Sequence, residues 1–140
     1  MQELIREAEA MGLRVMLRDI GRSSGYLYAG GLVVINSTRS LLTQRVTLAH
    51  EMGHHALGHD WTRDHDVRRD ELDADTWAAR LLVTPDAYRA AEACVGCHPG
   101  ALAKELGVTR QLVELRQRDF ARDFRIIRTV EQWRNETWAS

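Results

Sequence analysis

The period of the apolar positions switches twice in the first sixty residues. In residues 2 to 11, Leu4, Ile5, Ala8 and Met11 form one helical stripe, and Gly12 suits its C-terminal stop. Leu13, Val15 and Leu17 then alternate with Arg14, Met16 and Arg18, the period of a half-buried strand. Tyr26 to Tyr28 and Leu32 to Ile35 predict two more short strands, with Gly30-Gly31 as a hairpin turn between them. Ser37 to Ser40 offers several helix caps. From about Leu41 the period is helical again, with Leu42, Val46, Ala49, Gly53 and Leu57 near one side and Gly58 as the stop.

Asp60 to Asp70 is charged and poor in apolar residues, which predicts a loop. Asp70, Glu71 and Asp73 crowd the start of a second helix, where the helix dipole favours acids, and Trp77, Ala78, Leu81 and Leu82 give it an apolar face. Thr84-Pro85 is a cap followed by proline at the first helical position, so a third helix runs to about Ala93. Pro99 opens another, Gly107 ends it, and Thr109 caps a last helix to about Phe124. Ile126 to Ser140 favours no element. The length predicts one domain over residues 1–140, with three short strands followed by a helical C-terminal part.

The helix from Leu41 carries His50-Glu51-Met52-Gly53-His54, the pattern H-E-x-x-H. Residues four apart share a helix face, so both imidazoles can reach one Zn²⁺, with Glu51 beside a metal-held water as general base. Hydrolysis at zinc needs a third protein ligand and one open position. His59 is five residues after His54, nearly opposite His50 on an ideal helix, and is rejected as that ligand. A carboxylate suits better. Glu71 follows His54 by seventeen positions, on the next helix, and Asp75 lies one turn further on the same face. Asp75 there can accept the free ring N–H of a ligand histidine and fix its tautomer. Asp73 is the main rival to Glu71. The same donors also suit Mn²⁺ or Fe²⁺, because affinity order alone does not fix the metal in a cell.

These residues resemble the ImmA/IrrE family of metallopeptidases (DUF955). The likeness lies in Arg45 to His54, then Gly58-His59, then Glu71 to Pro85, and covers roughly Val33 to Tyr88. Trp77 stands where the family most often has phenylalanine, and Thr84-Pro85 where it often has Met-Pro. The resemblance implies a zincin-like α+β fold, with a small antiparallel or mixed sheet packed on the helix from Leu41, and a gluzincin-like site, with His50, His54 and Glu71 holding one Zn²⁺ and Glu51 catalytic. It also implies cleavage of a helix-turn-helix transcriptional repressor, releasing phage, mobile-element or stress genes.

Composition narrows the alternatives. A net charge of -1 over 140 residues gives no general drive toward nucleic acid or acidic membranes. No stretch approaches the ~20 apolar residues of a membrane span, and the reading is cytoplasmic. Ala101 to Arg116 looks like a helix-turn-helix, with Arg110, Gln111 and Arg116 as DNA-facing candidates. From Pro99 onward, eight basic and six acidic residues leave a net of only +2, a weak footprint for DNA. A helical hairpin over 99–124 that packs on the core or docks substrate is therefore preferred. The alternative function is a non-catalytic regulator, binding repressor or DNA on a zincin scaffold. Cys94-Val95-Gly96-Cys97-His98 matches the c-type haem pattern C-x-x-C-H and is read as coincidence in a loop. His55 and His65 are read as surface histidines, with His65 or Tyr88 as candidates, without a motif behind them, to stabilise an oxyanion.

Overall fold

A computed structural model describes residues 1–59 and 66–138, apart from the side chains of 129, 130, 133 and 135–138. The order is α1 (Gln2–Ala10), β1 (Arg14–Arg18), β2 (Gly25–Tyr28), β3 (Leu32–Asn36), α2 (Leu41–Ala56), α3 (Val67–Leu82), α4 (Pro85–Val95), α5 (Pro99–Leu106) and α6 (Arg110–Trp138). The sheet is mixed, in the order β1-β3-β2. β3 is parallel to β1, with Val15 opposite Val33, and antiparallel to β2, with Leu27 opposite Val33. The hairpin turn uses Gly30 and Gly31, both at φ near +80°, where a side chain would strain the backbone.

The central strand is the buried one. Val33, Val34 and Ile35 are nearly inaccessible, while Leu17 on the edge strand β1 is 46% exposed. The alternation in β1 therefore overstates its burial, because an edge strand of a three-stranded sheet reaches past the helices that cover the centre. Val33 and Ile35 pack with Leu48, Ala49 and Met52 of α2 and Ala78 and Ala79 of α3. The same apolar cluster continues to Leu102, Val108, Leu112 and Leu115 of the C-terminal helices. Fully burying a side chain such as Leu48 or Met52 is worth roughly 1.5–3 kcal/mol.

Two features fix α2 relative to its neighbours. Ser40 caps it by accepting from the Thr43 N–H. Gly53 sits where α3 crosses: a Cβ there would lie 2.9 Å from the Ala74 carbonyl oxygen. Only glycine lets the two backbones meet this closely.

Some element boundaries differ from the sequence reading. α2 ends at Ala56, short of Gly58. α3 begins at Val67, because Asp66 caps it through the Arg69 N–H, which puts Glu71 in its second turn. α6 continues to Trp138, through the stretch that favoured no element.

Candidate metal centre

α2 and α3 lie side by side, and their facing turns carry the titratable residues. His50 and His54 project from one face of α2 and Glu71 from α3. One ligand atom from each lies within 4.8 Å of the others. The Nε2 atoms of the two histidines are 2.9 Å apart. Glu71 Oε2 is 3.2 Å from His50 Nε2, and Oε1 is 3.2 Å from His54 Nε2. Tetrahedral bonds of ~2.0–2.1 Å to Zn²⁺ would put ligand atoms about 3.4 Å apart, close to these separations. His54 is buried, His50 partly so, and Glu71 is half exposed, so the group opens to solvent on the Glu71 side.

The tautomer of His50 follows from its other nitrogen. Asp75 Oδ1 is 2.7 Å from His50 Nδ1. A carboxylate only accepts, so Nδ1 carries the proton and Nε2 presents a lone pair to the cluster. Asp75 is held in turn by Gln111, whose Nε2 donates to Oδ2 at 2.8 Å. The His50 lone pair, His54 Nε2 and a carboxylate thus converge on one point, the kind of donor set a divalent cation needs.

Charge and burial shift these groups in different directions. Burial acts against protonation of His50, but the Asp75 hydrogen bond and the charges of Asp75, Glu51 and Glu71 outweigh it and raise the pKa. Burial and the charge of His50 lower that of His54, with the Glu71 charge opposing. Burial pushes the Glu51 carboxyl above its ordinary range; the His50 charge opposes this and the Glu71 charge adds to it. Glu51 shares an open groove of about 400 Å³ with His50, Asp75, Thr47 and the Ser23–Gly25 segment. That segment is tied down by buried Asn36, whose Nδ2 donates to the carbonyls of Gly21 and Ser23.

Other candidates lie elsewhere. Asp73 is half exposed, 3.8 Å from Arg69, and is not in the cluster. Tyr88 packs edge-on to Phe120, 5.0 Å between ring centroids, and its hydroxyl accepts from Gln117, so it faces α6 and not the histidines. His65 lies outside the described residues. His55 Nε2 is 3.1 Å from the Met11 carbonyl oxygen. Cys94 and Cys97 are free and exposed, and His98 caps α5 by accepting from the Gly100 N–H.

The three residues read as DNA-facing have partners inside the protein. Arg116 is buried; it donates to the Val83 carbonyl and stacks 4.4 Å over the Phe120 ring. Arg110 pairs with Glu114, and Gln111 holds Asp75. The sequence reading missed the link from Gln111 to the metal cluster, since nothing in its spacing relates it to α3.

Histidines four apart on one helix, facing a carboxylate on the next beside a small mixed sheet, make a zincin-like α+β arrangement. The profile described as Peptidase_M78, IrrE N-terminal-like domain, matches residues 8–118, and the chain belongs to that family. Membership supports a metallopeptidase-type activity on a protein substrate. None of the curated proteins matches the chain significantly. Among the described residues, no helix is long and apolar enough to cross a membrane.

Proposed function

We propose that this chain is a zinc-dependent endopeptidase of gluzincin type, with His50, His54 and Glu71 as the metal ligands and Glu51 as the catalytic residue. The convergence of the three ligand atoms carries the reading. When bound, Zn²⁺ supplies a Lewis acid for the scissile carbonyl and acidifies the attacking water toward ~7. The protein's own groups do the rest. The Glu51 carboxylate takes the proton of the attacking water and passes it to the leaving amine. Its raised pKa brings it closer to working pH, which suits a group that must both accept and return a proton. Asp75 holds His50 with Nε2 turned inward, and Gln111 holds Asp75.

The proposed substrate is a helix-turn-helix transcriptional repressor in the cytoplasm, whose cleavage releases phage, mobile-element or stress genes. Family membership supports a protein substrate, and the resemblance supplies the repressor. Glu51→Gln tests the chemistry. The amide matches the carboxylate in shape but cannot accept the proton. Metal content and fold should stay unchanged, while cleavage of a co-expressed repressor falls by about 10²–10⁴-fold. Near wild-type cleavage by the variant would remove Glu51 from the mechanism. An intact repressor after incubation with metal-loaded wild type would remove the substrate.

A further inference from the structure

The two ligand histidines are not supported by the same kind of residue. His50 leans on a carboxylate. His54, which is almost fully buried, turns Nε2 into the cluster and Nδ1 toward His59, whose Nδ1 is 2.7 Å away. His59 is itself mostly buried although it lies beyond the end of α2, and its Nε2 is 3.5 Å from Asp70 Oδ1. We propose that His59 and Asp70 are positioning residues for His54, setting its tautomer so that Nε2 can hold a metal. The proposal rests on the metal reading above.

The backbone explains how His59 gets there. On a continued helix it would point away from the cluster. α2 stops at Ala56, and Gly58 takes a left-handed conformation at φ +67°. That turn brings the His59 N–H back to the His54 carbonyl oxygen at 3.1 Å and lays the two rings edge-on, 5.0 Å apart.

Proton placement then has two solutions, and Asp70 selects one. In the first, His54 Nδ1–H donates to His59 Nδ1, and the neutral His59 ring carries its proton on Nε2, facing Asp70. In the second, His59 Nδ1–H donates to His54 Nδ1, and the proton on His54 moves to Nε2, where it would block a metal. With both rings neutral, the negative charge of Asp70, 3.5 Å away, favours a proton on His59 Nε2 and thereby the first solution. Asp70 directly precedes Glu71. One turn of α3 would thus supply both a ligand and the residue that orients another ligand's support.

The test is a Zn²⁺ titration of the full chain against a competing chelator, with circular dichroism and melting of the metal-free protein as controls. His59→Ala should lower zinc affinity by about 10–100-fold, the usual cost of losing such a support. Asp70→Asn should lower it less, with metal-free melting unchanged. His59→Asn, whose amide oxygen can accept from His54 Nδ1–H, should recover most of the affinity, a rescue that a merely structural role would not give. Should His59→Ala not fold, His59→Asn and Asp70→Asn still decide the matter. Wild-type affinity in folded His59→Ala would overturn the proposal, as would complete loss of zinc from it, which would make His59 a ligand. Failure of the wild type to bind zinc would overturn the metal reading itself.

Discussion

Two clusters of charged side chains flank α3, and their hydrogen bonding differs in kind. Around Asp119 of α6, every oxygen meets an N–H. Arg80 donates to both, from Nε at 2.6 Å and Nη2 at 2.9 Å, Arg122 adds a bond at 2.9 Å, and Arg116 approaches to 3.4 Å. Between α2 and α3 the pattern differs: the Nε2 atoms of His50 and His54 and the Glu71 carboxylate face one another, with no arginine or lysine among them. The first cluster is complete within the protein and clamps α3 to α6. The second presents the donor set of a cation site. Charge density alone would not separate the two; the direction of the donors does.

The largest expected effect tests the open cluster. His50→Ala, His54→Ala and Glu71→Ala should each lose stoichiometric metal, while Asp73→Ala should keep it, by metal analysis of the four purified proteins. Loss in Asp73→Ala with retention in Glu71→Ala would reassign the third ligand.

The closed cluster comes next. Asp119→Asn leaves the buried Arg116 without its counter-charge and should cost about 3 kcal/mol at neutral pH, the low end for breaking a buried pair. The low end applies because Arg80 and Arg122 are about half exposed and solvent already screens them. The pH dependence has a definite sign. The Arg80 hydrogen bonds hold the Asp119 carboxyl below its ordinary range, against the effect of burial, and the charges of Arg80, Arg122 and Arg116 add to this. A carboxyl depressed on folding stabilises above its unfolded value of ~3.9, and that contribution disappears as pH falls through the folded value. In denaturant melts, the gap between wild type and Asp119→Asn should be full at pH 7, begin to close below about pH 4 and vanish only below the depressed folded value. A gap that persists there would mean that packing and not charge holds α6.

The smallest effects lie where the two clusters share a helix. Asp75→Ala should still bind zinc, with affinity lower by about 10–100-fold. Gln111→Ala removes only the outer hydrogen bond, worth about 1 kcal/mol, and should lower affinity several-fold in the same titration. Equal losses in the two variants would mean that Asp75 is useless without Gln111.

The sequence was most informative where one period or one cap decides the structure. The Gly30-Gly31 hairpin, the Thr84-Pro85 start of α4 and the histidine face of α2 were all legible for that reason. It was least informative where contacts are long-range. The start of α3 hid in a charged stretch, because its cap, Asp66, looks like its acidic neighbours. Arg116 stood among the DNA-facing candidates because a guanidinium on an apolar face shows its buried place only once Val83 and Phe120 are beside it. The end of α6 carries exposed Phe124, Ile126 and Ile127, so its apolar residues trace no buried stripe. His59 was placed by extending a helix that in fact stops at Ala56, three residues before it.

The contact at Gly53 has one more consequence. Where side chains set a helix spacing, rotamers can adjust and the gap is elastic. Here the stop is backbone against backbone at Ala74, which lies in the same stretch of α3 as Glu71 and Asp75. A hard stop has no rotamers. Conservative repacking at Leu48 or Met52 should therefore be absorbed away from the histidines, and the separation between the two rows of titratable side chains should depend on one missing methyl group.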